Sequence, residues 1–97
     1  MGAKRLMELD GFVVWGTSLE DACLALTRPY DGATATVGNG VMVAIRAGSK
    51  EVVDAVHRRA LELGGQDEGA PGPRGDGFYA GYFRDLDGNK LNAFVFG

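Results

Sequence analysis

One segment of the chain has the pattern of an amphipathic helix, and strand-like segments lie on both sides of it. Ser49 stands where an N-cap belongs, the segment KEVVDAVHRRALEL follows, and Gly64 and Gly65 end it. The apolar stripe of this helix consists of Val53, Val56, Ala60 and Leu63. A single helix among strands predicts the α+β class, with a sheet packed against the stripe.

Runs rich in β-branched and aromatic residues predict the strands. Before the helix they are residues 4–9, GFVVWG, CLALTRP and VMVAIRA. After it, FYAGYFRD and NKLNAFVF are joined by the turn DLDGN. The segment GGQDEGAPGPRGDG between helix and hairpin has no periodic signal and is predicted to be a loop, with one short strand inside residues 66–73. The C-terminal part is therefore predicted to be a βαβββ unit.

Composition narrows the range of partners and compartments. The 97 residues suffice for one domain, and no run approaches the ~18 apolar residues of a membrane span. The net charge is −3 and the ten lysines and arginines are scattered, which disfavours nucleic acid. Cys23 is the single cysteine, so an intramolecular disulfide is excluded, and the N-terminus has no secretion-signal pattern. We expect a cytoplasmic protein without nucleic-acid or membrane partners.

The segment DLDGNKLNAF is similar to the DPDGNxxE signature of the vicinal oxygen chelate superfamily, which includes glyoxalase I, bleomycin-resistance proteins and extradiol dioxygenases. NGVMVAIRA, the helix ending in ALELGG, and GFYAGYFRD come in the family's order and spacing. The resemblance implies a single glyoxalase-like domain over residues 1–97. Residues 38–97 would be one complete module, and residues 4–30 the last strands of a preceding module whose first strand and helix are absent. Paired modules of this family form a curved mixed sheet with the helices on its convex face.

The resemblance also implies where a divalent metal would be bound. Of the four ligand positions, one falls in the strand that is expected to be absent, and the others are occupied by Ala25, Met42 and Asn92. Alanine has no donor atom, a thioether is a soft ligand, and a neutral amide does not offset the charge of a dication. We therefore expect no metal and no cofactor.

Strand alternation predicts which side chains line the concave face, meaning the side of the sheet away from the helix. Pairing Phe83 with Leu91 places the larger apolar residues under the helix. The predicted binding residues on the concave face are Met42, Arg46, Tyr82, Arg84, Asn92 and Phe94. Trp15 is a further candidate as a stacking platform, with core packing as the alternative. Such a lining suits a flat or partly apolar small molecule, with an anion held by Arg46 or Arg84.

Apolar residues near the N-terminus predict self-association. Leu24 and Leu26 alternate with Ala25 and face the place where the absent helix would lie. Exposed apolar strand surface is unfavourable in a monomer, so we expect a homodimer or higher homo-oligomer.

Two reactive residue types are expected to be structural. His57 is expected on the surface of the helix, and Cys23 is expected to be a packed thiol rather than a nucleophile.

Three functions are compatible with these patterns. The first is a metal-free, glyoxalase-like protein that binds a small molecule in its concave face. The second is a lyase or isomerase acting on a chelating or glutathione-linked substrate, with metal ligands completed across subunits. The third is a degenerate chain kept as an assembly partner for a full-length relative. Sensitivity of any activity to chelators separates the first two, and co-purification of a longer chain indicates the third.

Overall fold

The computed structural model describes residues 2–97, which form seven strands and one α-helix. In chain order the elements are β1 (Lys4–Leu9), β2 (Phe12–Gly16), β3 (Leu24–Thr27), β4 (Val43–Arg46), α1 (Lys50–Glu62), β5 (Gln66–Pro73), β6 (Phe78–Arg84) and β7 (Lys90–Phe96). They belong to two compact units, of which the first ends at Thr36 and the second spans Val37–Gly97. Within residues 2–97, no helix has the length and apolar character needed to cross a membrane.

The first unit contains a three-stranded antiparallel sheet in the order β1-β2-β3. Trp15 pairs with Leu24 and Val14 pairs with Ala25, so Trp15 shares one face with Leu24 and Leu26 while Ala25 lies on the other. Leu24 and Leu26 are 37% and 42% exposed in the isolated chain.

Cys23 precedes β3, the edge strand of this sheet. Its thiol is exposed, and its Sγ is 3.3 Å from the carbonyl oxygens of both Ser18 and Asp21. The prediction of a packed thiol is therefore wrong. The reason is position, because Cys23 lies in the loop that enters an edge strand and has a neighbouring strand on one side only.

The second unit contains a four-stranded sheet in the order β4-β7-β6-β5. β4 pairs with β7 in parallel, and the other neighbours are antiparallel, so the sheet is mixed. The order of elements from β4 to β7 is strand, helix and three strands. The predicted α+β class and βαβββ unit are confirmed, including the strand within Gln66–Pro73.

The ends of α1 follow the predicted signals. Ser49 is the N-cap, and its hydroxyl oxygen accepts a hydrogen bond from the Val52 amide at 3.2 Å. The helix ends at Glu62, and Gly64 adopts a φ of 105°, which side chains rarely allow. Gly65 is needed for a different reason, because a Cβ there would lie 2.7 Å from the carbonyl oxygen of Arg84. The chain can therefore pass closely from the helix into β5.

The core of the second unit lies between α1 and one face of the sheet. Phe83 pairs with Leu91, as predicted, and this register places Ala93 and Val95 under the helix. The buried cluster and the residues packed on it are Ala47, Val53, Ala93, Val52, Val56, Tyr79 and Val95. Leu63, predicted as part of the stripe, is instead the exposed C-cap residue. A hydrogen bond of 2.6 Å from the Tyr79 hydroxyl to Asp54 Oδ1 also joins β6 to α1 and raises the pKa of Tyr79.

His57 is 6% exposed, so its predicted surface position is wrong. Its Nε2 lies 3.0 Å from Asp67 Oδ1 and 3.2 Å from the carbonyl oxygen of Tyr82. The imidazole finds room because Gly81 has no side chain, and a Cβ there would come within 3.3 Å of the ring. The histidine thus joins α1 to β5 and β6 on the helix side of the sheet.

We predict that replacing Ser49 with Ala lowers the free energy of unfolding by about 1 kcal/mol, since the Val52 amide loses its acceptor. Asp at the same position retains an acceptor for the amide, so Ser49→Asp is the matched control and should remain close to wild type. Urea unfolding followed by circular dichroism measures both. Equal stability of Ser49→Ala and wild type would contradict the assignment of this cap.

Asp67 provides a pH-dependent prediction. The Gly69 amide and then His57 donate hydrogen bonds that lower the pKa of this carboxyl from 3.8. A lowered folded-state pKa means that the stabilisation is present above the unfolded pKa and is lost as the pH falls towards the folded value. The stability advantage of wild type over Asp67→Asn should therefore shrink as the pH falls from about 5 to about 2 in urea unfolding. An advantage that grows with acidity would refute this role.

Candidate ligand-binding site

The concave face of the second unit carries four rows of side chains. Strand register places Lys90 beside Arg84 in the first row, Asn92 between Ala44 and Tyr82 in the second, Phe94 between Arg46 and Ala80 in the third, and Phe96 beside Phe78 in the fourth. The rows follow one another along β7, so basic groups dominate one end and aromatic rings the other. The predicted face assignments of Tyr82, Asn92 and Phe94 agree with this register.

Asn92 lies in the second row and is 2% exposed. Its Oδ1 has no hydrogen-bond partner within residues 2–97. A buried polar atom left unpaired costs about 1–3 kcal/mol, and such atoms are rare in folded proteins. A buried amide with an unpaired oxygen points to a role other than packing.

Tyr82, the neighbour of Asn92 on β6, has two cations near its ring. The Lys90 Nζ and the Arg74 Cζ each lie 5.5 Å from the ring centroid. The guanidinium group of Arg74 also donates a hydrogen bond of 2.7 Å to the carbonyl oxygen of Ala70. Two positive charges thus lie close to the ring of Tyr82.

Arg74 can reach this position because β5 has glycines on its concave side. A Cβ at Gly69 or Gly72 would lie 3.3 Å or 3.2 Å from a nitrogen of the guanidinium group. These two residues pair with Tyr82 and Ala80 respectively. Because these glycines have no side chains, the Arg74 side chain can lie across β5 at Gly69 and Gly72.

A cavity of about 310 Å³ adjoins the first row. Its lining consists of Gly38, Asn39, Gly40, Val41, Met42, Arg84 and Lys90. Arg84 donates hydrogen bonds to Glu68 Oε1 at 2.7 Å and to the carbonyl oxygen of Gly88 at 3.0 Å, so its guanidinium group is fixed in place. Met42 and Val41, 41% and 66% exposed, supply the apolar part of the wall.

The opposite end of the concave face is aromatic. The ring centroid of Phe78 lies 5.6 Å from that of Phe94 and 5.0 Å from that of Phe96. Arg46, exposed on the edge strand β4, pairs with Phe94. This end offers ring faces and a guanidinium group for stacking.

The predicted site residues fall into small groups. Met42 and Arg84 line the cavity, Tyr82 pairs with Asn92, and Arg46 pairs with Phe94. Trp15 belongs to the first unit, where the Arg5 guanidinium carbon lies 5.1 Å from its ring centroid. It shares a face with Leu24, not with Ala25.

Three contributors were not predicted. Lys90 and Phe78 follow the same two-residue period as Asn92 and Tyr82, and extending that period to both strand ends would have identified them. Arg74 lies outside any strand pattern. In the sequence, only the two glycines at positions 69 and 72 hint that its side chain has room to lie against the sheet.

The side chains at the implied metal positions do not fit a divalent ion. Ala25 offers no donor, Met42 a thioether and Asn92 a neutral amide. Among residues 2–97, no three His, Cys, Asp or Glu side chains are grouped so that they could hold a metal ion. His57 and Asp67, better donors by type, lie on the helix side of the sheet.

Comparison with solved structures identifies the family. The chain is 34% identical to a glyoxalase/bleomycin resistance protein from Albidiferax ferrireducens T118, with a TM-score of 0.84 over 94% of this chain and 74% of that one. A glyoxalase/bleomycin resistance protein/dioxygenase family enzyme from Burkholderia phytofirmans PsJN has a TM-score of 0.78 at 15% identity, covering 99% and 81% of the two chains. A glyoxalase-related enzyme from Fulvimarina pelagi has a TM-score of 0.77 at 18% identity, covering 97% and 70%.

The first of these structures is similar enough in sequence to show kinship, whereas the other two show the fold alone. No family model and no curated protein matches the chain. The fold and the first similarity define a vicinal oxygen chelate protein. The chain belongs to the glyoxalase/bleomycin resistance protein family.

We predict that Asn92→Val raises the free energy of unfolding by about 1 kcal/mol, because the unpaired oxygen is removed and valine favours strands. Asn92→Asp should lower it by about 3–5 kcal/mol at neutral pH, since it buries a charge with no donor bonded to it. Urea unfolding gives both values. Strong destabilisation by valine would show that the amide is needed for packing, contrary to the account given above.

Proposed function

We propose that the protein binds a small molecule on its concave face without a divalent metal ion, and that it does so as a homodimer or higher homo-oligomer. The observation that carries the proposal is the buried amide of Asn92, which lies at the centre of this face with an unpaired oxygen. Folded proteins rarely leave a buried polar atom unpaired, and a binding site is a common reason where they do.

The lining supports a flat, partly apolar ligand. Phe94 and Tyr82 offer ring surfaces, and Arg46 and Arg84 offer charges for an anionic group. Ligand pockets commonly combine such apolar walls with a few polar groups that fix orientation. Trp15 is left out of the proposed site because it shares a sheet face with Leu24.

The donor set supports the metal-free part of the proposal. Ala25, Met42 and Asn92 supply no charged ligand, and a dication that leaves water needs charged or strongly basic donors. A lyase or isomerase of the metal-dependent kind would need its ligands from another subunit. Loss of binding or activity on adding a chelator would favour that alternative.

The first unit supports self-association. Leu24 and Leu26, with Trp15 beside them, form an apolar strand face that is partly exposed in one chain. Burying such a face against another copy is favourable at about 25 cal/mol per Å².

We also propose that residues 4–30 and 38–97 correspond to a partial and a complete module of one domain. A cytoplasmic location is proposed because the free thiol of Cys23 is compatible with a reducing compartment.

Binding can be tested by saturation-transfer NMR with a set of uncharged and anionic aromatic fragments. We expect fragments to bind the wild type equally well with and without EDTA. Phe94→Ala should weaken them roughly tenfold, because a stacking surface is lost. Leu86→Ala, in the exposed turn before β7, is the control and should bind as wild type does. Binding abolished by EDTA, or insensitive to Phe94→Ala, would contradict the proposal.

Self-association can be tested by light scattering at micromolar concentration. We expect a dimer or larger species for the wild type and a monomer for the double variant Leu24→Glu, Leu26→Lys, since charged groups resist burial. Leu86→Lys places a charge on another exposed leucine and should leave the mass unchanged. A monomeric wild type would contradict this part of the proposal.

A further inference from the structure

We propose that the cavity beside the first row is an anion pocket, defined by residues 38–42 with Arg84 and Lys90, which receives the carboxylate or phosphate group of the ligand. This inference rests on the proposed binding function and specifies the chemistry of its ligand. The aromatic part of the same molecule would lie towards Phe94. The ligand class is therefore an aromatic or flat apolar acid.

The charges that line the pocket favour an anion. Arg84 is paired with Glu68 at 2.7 Å, and its charge is largely balanced by that carboxylate. Lys90 has no carboxylate within ion-pair distance in the described part of the chain, residues 2–97, and its ammonium group instead lies over the ring of Tyr82. The pocket thus has one unbalanced positive charge, although the whole chain carries −3. An anion that binds next to Lys90 forms a charge-assisted hydrogen bond, which is roughly twice as strong as a neutral one.

The loop that lines the cavity together with the two basic residues has backbone N–H groups without an acceptor in the described part of the chain. The peptide N–H groups of residues 38–41 donate no hydrogen bond to any group in the chain from residue 2 to residue 97. Two of these four residues, Gly38 and Gly40, have no side chain that could block access to the backbone. Successive backbone amides in such loops commonly bind carboxylate and phosphate oxygens. The cavity is therefore lined by a cation without a carboxylate partner and by a loop whose backbone N–H groups have no acceptor among residues 2–97.

The dimensions agree with an acid group at the end of a longer molecule. A cavity of about 310 Å³ lies at the lower end of the ≈300–1,000 Å³ range of ligand pockets, which is enough for an acid group and its adjoining carbons. Along β7, Lys90 and Phe94 are four residues apart, which is about 13 Å at ~3.3 Å per residue. Because the Lys90 ammonium reaches over the ring of Tyr82, in the next row, a ligand shorter than this span could place its acid beside Lys90 and set an aromatic ring on Phe94.

Phenylbutyrate and its uncharged counterpart phenylbutanol form a matched pair of probes. Titration of the full-length, ¹⁵N-labelled protein should show phenylbutyrate shifting the amide signals of Gly38, Asn39 and Gly40, with phenylbutanol binding at least tenfold more weakly. Lys90→Met should remove this preference for the acid, and Lys90→Arg should keep it. Arg58→Met, which removes an exposed cation on α1, is the control for net charge and should behave as wild type. Inorganic phosphate should shift the same amides at higher concentration.

The outcomes separate this inference from the broader proposal. If acid and alcohol bind equally and the signals of residues 38–41 do not move, the anion pocket is refuted while binding on the concave face survives. If neither probe nor phosphate binds, both are refuted. If Lys90→Met and Arg58→Met weaken the acid equally, the preference reflects net charge and the pocket assignment is wrong. The variants' amide spectra report whether each remains folded.

Discussion

The pairing of β6 with β7 positions both the core and the candidate site of the second unit. With Phe83 opposite Leu91, residues of one parity pack under α1, and those of the other parity form the concave face. A shift of one residue would place Asn92 in the core beside Val53 and expose the apolar set. The tight turn over residues 85–89 fixes this register, because Asp85 accepts hydrogen bonds from the amides of Asp87 and Asn89.

Much of this arrangement could be predicted because it follows from local rules. The cap at Ser49, the glycines at the helix end and the polar–apolar alternation from Lys90 to Ala93 can each be read directly from the sequence. The wrong prediction for His57 and the missed contribution of Arg74 have a different origin. His57 is buried because Gly81, 24 residues later, leaves space for its ring, and Arg74 reaches Tyr82 because two glycines of an irregular strand lie between them. Such contacts depend on tertiary neighbours that periodicity does not reveal.

The chemistry of the concave face differs from that of a metal site in its charge. A divalent ion needs negative or strongly basic donors, whereas this face offers Lys90, Arg84 and Arg74 together with aromatic rings. Positive side chains would repel a cation and attract an acid. The buried amide of Asn92 occupies the place that the family signature gives to a carboxylate. The same fold can therefore carry a neutral amide at a position where the family signature has a carboxylate.

The central claim is that this face binds no divalent ion. Its most direct test is elemental analysis of the protein purified without chelators, from cells grown with zinc, nickel, manganese and iron. The account predicts a content of each metal far below one ion per chain, unchanged in an Asn92→Ala variant. One equivalent of any of these metals in the wild type, lost in that variant, would contradict it.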